Sequence, residues 1–99
     1  MLYIVNKSHA SSQGLHDCLQ RASAGDAVLL IEHAVYSALN VKQTPLLTMS
    51  HSELKIFALS PDMQARGVQQ AACLEFIQYV DYQGFVELVE NNSVLRSYF

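Results

Sequence analysis

A chain of 99 residues, 51% hydrophobic and 15% charged, has the composition of one folded domain and no room for a second core. A formal net charge of −3, with six Lys and Arg side chains scattered along the sequence, argues against a stand-alone nucleic-acid binder, whose affinity comes from phosphate neutralisation. So small a domain also has too much surface to hide every apolar side chain, and the surplus is expected at an interface.

In chain order, Leu2–Val5 is a short apolar run and predicts a buried strand. Neither it nor any other run reaches the ~18 apolar residues of a membrane helix. It also lacks the basic flank and long apolar core of a signal peptide. Asn6–Ser12 is polar and reads as a loop in which Ser11 or Ser12 can cap a helix. Leu15, Cys18, Leu19 and Ala22 recur at helical spacing, and Gly25-Asp26 is expected to stop that helix. Ala27–Ile31 is apolar without alternation, the pattern of a parallel strand covered on both faces.

Val35–Leu39 reads as a short helical segment, and Pro45 can start a helical turn within the mixed stretch 40–52. Leu54–Leu59 is the third expected strand. Pro61-Asp62-Met63 begins a short helix that Gly67 ends, and Phe76–Val80 is the fourth strand. Asp81 can cap a last helix with Phe85, Leu88 and Val89 on its apolar face, ending at Asn91-Asn92. The tail 94–99 carries two terminal aromatics, Tyr98 and Phe99. Alternating strands and helices imply right-handed crossovers and a parallel sheet. The expected fold is α/β: a single three-layer domain over residues 1–99, with a mainly parallel sheet of four to five strands flanked by helices.

Cys18 is the first chemical candidate, because a thiolate can carry a persulfide between partners. Against that, Cys18 lies near an apolar stripe with Asp17 beside it, and free cysteine is among the most buried residue types. Cys73, in the connection before the fourth strand, has no His or Lys within four residues and reads as an apolar filler. Two cysteines are too few for a disulfide scaffold and suggest a reducing compartment, taken here as the cytoplasm. His9, His16, His33 and His51 have no metal-ligand spacing, so no metal is expected. Glu32-His33 falls at the carboxyl end of the second strand, where open α/β sheets place ligands, but a solvated loop pair is the favoured reading. Ser8, Ser11, Ser12 and Ser37 lack a nucleophile elbow, and no glycine-rich phosphate loop occurs, so no cofactor is expected. Asp62, Arg66 and Gly67 read as a helix-end motif complementing the helix dipole.

Several blocks resemble the DsrH/TusB family. They are Leu2-Tyr3-Ile4-Val5-Asn6-Lys7-Ser8, the Leu15-x-x-Cys18-Leu19 helix, Gly25–Glu32 followed by Val35-Tyr36, Ala58–Gly67 with its Asp62 and Arg66-Gly67, and Val80-Asp81-Tyr82 leading into Phe85-Val86. They run nearly end to end in the family's order. His33-Ala34 stands where the family often has Asp-Gly, and Tyr98-Phe99 where a tryptophan is common. The resemblance implies an auxiliary subunit of a heterohexameric sulfur-relay complex with DsrE/TusD-like and DsrF/TusC-like partners. A sulfur-carrier protein would be reached through that complex, with no direct contact to nucleic acid or membrane. In the TusB branch the persulfide sulfur goes to 2-thiolation of a tRNA wobble uridine; in the DsrH branch it serves sulfur oxidation. The principal acceptor cysteine of such complexes lies on the DsrE/TusD-type subunit, whereas Cys18 matches a cysteine of DsrH-type members and is the possible persulfide carrier here. Two further readings are a structural homo-oligomeric module, self-associating in isolation, and a standalone sulfurtransferase using Cys18.

Overall fold

The computed structural model describes residues 1–48, 53–92 and 94–99. Five strands form one sheet: β1 (Leu2–Val5), β2 (Ala27–Leu30), β3 (Lys55–Leu59), β4 (Ile77–Val80) and β5 (Leu95–Tyr98). Their order is β4-β3-β2-β1-β5, and every neighbouring pair is parallel. Three α-helices accompany them: α1 (Gly14–Arg21), α2 (Ser60–Ala65) and α3 (Tyr82–Asn91). Between β2 and β3 the chain turns through two 3-10 helices, Glu32–Ala38 and Pro45–Thr48.

The topology divides the cover of the sheet unequally. From β1 to β4 the chain steps steadily one way across the sheet, so right-handed crossovers place α1, the 3-10 helices and α2 on one face. The return from β4 at one edge to β5 at the other runs the opposite way and sends α3 alone across the second face. The first face holds the main core, with Tyr3, Val5, Val28, Leu30, Ile56 and Ala58 from the strands against Leu15, Cys18, Ala34, Val35 and Met63 from the helical cover. The second face holds Leu2, Ile4, Ala27 and Leu29, with Phe57, Val80, Phe85 and Leu88 partly buried around them. β1 and β2 are buried along their whole length, as unalternating apolar strands between two layers must be.

The local reading of α1 needs two corrections. Its N-cap residue is Gln13, with no side-chain cap, and Ser12 Oγ instead accepts the Gly14 N–H at 3.0 Å. The helix ends at Arg21, before Gly25-Asp26; those residues complete the following turn, where Asp26 Oδ2 accepts the Ser23 N–H at 2.9 Å. Asp81 caps α3 as expected, its Oδ1 accepting the Gly84 N–H at 2.8 Å. A Cβ on Gly84 would lie 2.9 Å from Val80 Cβ, so glycine is what lets α3 start hard against β4. In the tail, Leu95–Tyr98 is the fifth strand, paired with β1 from Leu2↔Leu95 to Val5↔Tyr98.

Candidate functional site

The two thiols are the side chains that could act as sulfur nucleophiles. Cys18 is fully buried on α1 among Leu15, Leu19 and the strand side chains. Burial, with the Asp26 carboxylate adding to it, pushes the thiol up to about 12. In this packing Cys18 is neither reachable by a partner nor a thiolate near neutral pH, the two properties a sulfur carrier needs. Cys73 sits where the 69–74 connection is stitched to the 38–40 segment: the Asn40 N–H donates to Ala72 O at 2.9 Å and the Leu74 N–H to Ala38 O at 2.9 Å. Its Sγ donates to Gln69 O at 3.5 Å, and burial raises its pKa as well.

At the carboxyl end of the sheet, two sequence motifs that looked separate meet. Asp62, at the start of α2, accepts the backbone N–H of Glu32 on Oδ2 at 2.6 Å. Arg66 Nη1 donates to Asp62 O at 3.2 Å and lies 3.9 Å from Asp62 Oδ1. Glu32 itself has φ +51°, a left-handed conformation uncommon outside glycine, asparagine and aspartate. The turn after β2 forms all the same, with the Ala34 N–H donating to Ile31 O at 3.0 Å. The strain therefore falls on Glu32, and Asp62 is what holds it. Asp62 thus locks the ends of β2 and β3 together, a role beyond complementing a helix dipole. His33 contributes only a tilted ring contact with Tyr36, at 6.0 Å between centroids.

Sequence reasoning did not find the next cluster. Ser37 is buried; its Oγ accepts the His9 backbone N–H at 3.0 Å and lies 2.8 Å from His9 Nδ1. Thr44 Oγ1, also buried, donates to Ser37 O at 2.6 Å. The serine–histidine pair is closed to solvent at the serine and tied into backbone, so its chemistry is that of a loop clamp. Isolated polar residues 28 positions apart give no spacing signal. His16 lies exposed beside Asp17, and Ser11 Oγ donates to Ser8 O within the same turn at 3.4 Å. His51 lies outside the described residues. Among the described residues, no three His, Cys, Asp or Glu side chains converge as a metal site would require. A shallow groove of about 390 Å³ runs along α2 between Met63, Gln64 and Gln69, with no titratable side chain among its described lining residues.

The remaining feature is a surface. No residue of α3 is fully buried. Phe85 and Leu88 touch the sheet, while Tyr82 is 62% and Val86 53% exposed. Val89, expected on the inward face, is also partly exposed. On the adjoining edge strand Leu95 is 49% and Phe99 66% exposed. Register places Leu95 beside Leu2, on the α3 side of the sheet, so its exposed side chain shares a face with α3. Exposed apolar side chains gathered on one helix and the next strand mark an association surface more readily than scattered ones do.

The fold agrees with that of known proteins. The family described as DsrH like protein matches residues 7–94. The solved structure of Tm0979 from Thermotoga maritima aligns over 93% of this chain and 94% of its own, at TM-score 0.66 and 24% identity. The ychN protein from E. coli aligns over 97% of each chain at TM-score 0.78 and 12% identity. MTH1491 from Methanobacterium thermoautotrophicum, a protein of unknown function, aligns over 97% of this chain and 96% of its own at TM-score 0.74 and 11% identity. At these identities the structures speak to the fold alone. No curated protein is significantly similar to the chain. Among the described residues no helix is long and apolar enough to cross a membrane.

Proposed function

The chain belongs to the DsrH-like family, and from that premise we propose that it is an auxiliary subunit of a cytoplasmic sulfur-relay complex, acting by docking rather than by its own thiols. Its partners are subunits of the DsrE/TusD and DsrF/TusC types, and the sulfur passes on toward 2-thiolation of a tRNA wobble uridine. The observation that carries this reading is the pairing of a half-exposed apolar α3 with two buried, high-pKa cysteines. A sulfur-transfer step needs an acceptor thiolate to attack the outer sulfur of a donor persulfide. A new S–S bond forms on the acceptor, the donor's S–S bond breaks, and the donor leaves as a thiolate. The burial of Cys18 supports placing the acceptor on a partner subunit, with this chain supplying surface and support.

The test is co-expression with the two partner types, followed by light-scattering mass determination and mass spectrometry after exposure to a persulfide donor. Expected are a stable mixed assembly, a one-sulfur adduct on a partner cysteine, and little change in sulfur flux for Cys18→Ser. A one-sulfur adduct on Cys18 of the isolated chain would replace this reading with that of a standalone sulfurtransferase. For the branch of the pathway, cells lacking the chain should lose wobble 2-thiouridine; normal 2-thiouridine with impaired sulfur oxidation would assign it to the DsrH branch.

A further inference from the structure

The cover at the carboxyl end of β2 is held differently from the rest of the fold. Glu32–Ala38 is a 3-10 helix of seven residues, although such helices seldom run beyond three or four because their hydrogen-bond geometry is poor. It starts at Glu32, whose φ of +51° is strained for a residue with a side chain. The residues it buries are Ala34, Val35, Ser37 and Ala38, all small, whereas α1 buries Leu15, Cys18 and Leu19. Strain and little buried apolar area make a segment open more readily than the fold around it.

Side chains from elsewhere in the chain hold this segment down. At its start, Asp62 Oδ2 accepts the Glu32 N–H at 2.6 Å. Near its end, Ser37 Oγ accepts the His9 N–H at 3.0 Å, and Thr44 Oγ1 donates to Ser37 O at 2.6 Å. Just beyond, Ala38 O accepts the Leu74 N–H and Ala72 O accepts the Asn40 N–H, each at 2.9 Å, with Leu39 bridged to Cys73 between them.

We infer that Glu32–Ala38 is a strap that lifts as a unit from the carboxyl end of the sheet while the strands and α1 stay folded, and that it gates Cys73. The strap lies over β2 and β3. When Asp62 lets go, Glu32 relaxes to a negative φ, and that rotation carries the following turns off the two strands. Because the 38–40 segment is stitched to residues 72–74, lifting it removes the cover from Cys73, which is buried in the closed form. Cys18 is held by α1 against the strands and stays shut in the same event. The device is made of backbone strain and two latches, at Asp62 and Ser37, so it does not rest on the sulfur-relay reading.

The two native thiols distinguish lifting of the strap from unfolding of the whole chain. Alkylation by N-ethylmaleimide is followed at each cysteine of the full chain by peptide mass spectrometry. In the wild type Cys73 is expected to react about tenfold faster than Cys18 or more, since it needs only the local opening. Leu2→Ala, in the core of the other face, weakens the strap-closed and strap-open forms alike relative to the unfolded chain. It should speed Cys18 by about a hundredfold and leave Cys73 unchanged. Asp62→Ala and Ser37→Ala weaken the closed form alone. Each should speed Cys73 by about fivefold, and Cys18 by the same factor, because the latch is also lost on complete unfolding. Asp62→Asn keeps an acceptor oxygen and should react at nearly the wild-type rate. Glu32→Gly takes the strain out of the closed form and should slow Cys73 by up to about fivefold. If the two cysteines react at one rate and both respond to Leu2→Ala, the strap moves only when the whole molecule unfolds. If Cys73 reacts quickly and ignores Asp62→Ala, Ser37→Ala and Glu32→Gly, it needs no opening at all. Either result overturns the inference, and neither bears on co-purification with the partner subunits, which judges the function proposed above.

Discussion

The two faces of the sheet differ in how fully the chain itself covers them. On the first, α1, α2 and the two 3-10 helices between β2 and β3 close over the strands, and the interior includes Leu15, Leu30, Val35 and Ile56 at essentially zero exposure. On the second, one ten-residue helix crosses a sheet too wide for it, leaving Tyr82, Val86 and Leu95 half in water. The difference follows from topology, since only the final crossover runs back across the sheet. It separates a face whose core the chain closes itself from one that leaves apolar side chains in water.

If that division is right, substitutions should sort by face. The largest effect is expected in the closed core. Leu15→Ala removes a fully buried side chain from packing that cannot collapse around the gap, and should cost about 3 kcal/mol in urea unfolding. A loss under about 1 kcal/mol would mean that the first face is much looser than its burial indicates.

The next effect comes from Cys18 and depends on pH. Its thiol titrates near 9 when unfolded and about 12 when folded, so above pH 9 the unfolded chain loses a proton that the native protein keeps. Stability is therefore unaffected by this group below pH 9 and falls between 9 and 12, by up to about 1.4 kcal/mol per pH unit. Tyr3 and Tyr79, also raised by burial, add to the fall higher in that range. The clean comparison is thus wild type against Cys18→Ala between pH 9 and 10, where the variant should show the shallower slope. Equal slopes would place Cys18 in contact with solvent and reopen its case as a carrier.

A smaller effect is expected at the rim between the faces. Asp62→Ala removes the acceptor that holds Glu32 in its left-handed conformation and should cost about 1 kcal/mol, because the bond is exposed to water. Asp62→Asn, which keeps an acceptor oxygen, should recover most of that. Glu32→Gly should stabilise the protein by up to about 1 kcal/mol, since glycine takes positive φ without strain. Thermal unfolding of the three variants orders them directly.

How much of this was legible beforehand differed by element, for physical reasons. The strands β1 and β2 were plain, because unbroken apolar runs have few other uses in so short a chain. The α1 face was equally plain, with Leu15, Cys18, Leu19 and Ala22 all buried as their spacing requires. β5 was not, since Leu95-Arg96-Ser97-Tyr98 is an exposed edge whose only fixed partner lies at the other end of the chain. The Asp62–Glu32 and His9–Ser37 contacts were invisible for a related reason: each joins loops about thirty residues apart, through a backbone N–H that no sequence pattern records. Cys18 was seen as a residue, and its helix was right. What decides its chemistry is the depth of burial, which the whole fold sets.

The smallest expected change in stability is also the one that bears most on function. Tyr82 and Val86 lie on the outer side of α3, and replacing either by Ser should change unfolding free energy by less than about 0.5 kcal/mol. A surface that matters only to a partner should nevertheless weaken the mixed assembly, by about tenfold for a side chain worth 1.4 kcal/mol at the interface. Stability and assembly are then read on the same variants, by urea unfolding and by titration of the partner subunits. Separation of the two readouts at Tyr82 and Val86, alongside their joint loss at Leu15, is what a closed face and a docking face in one small sheet require. If Val86→Ser lowered stability as Leu15→Ala does, α3 would be core on both sides, and the docking surface would have to be sought elsewhere.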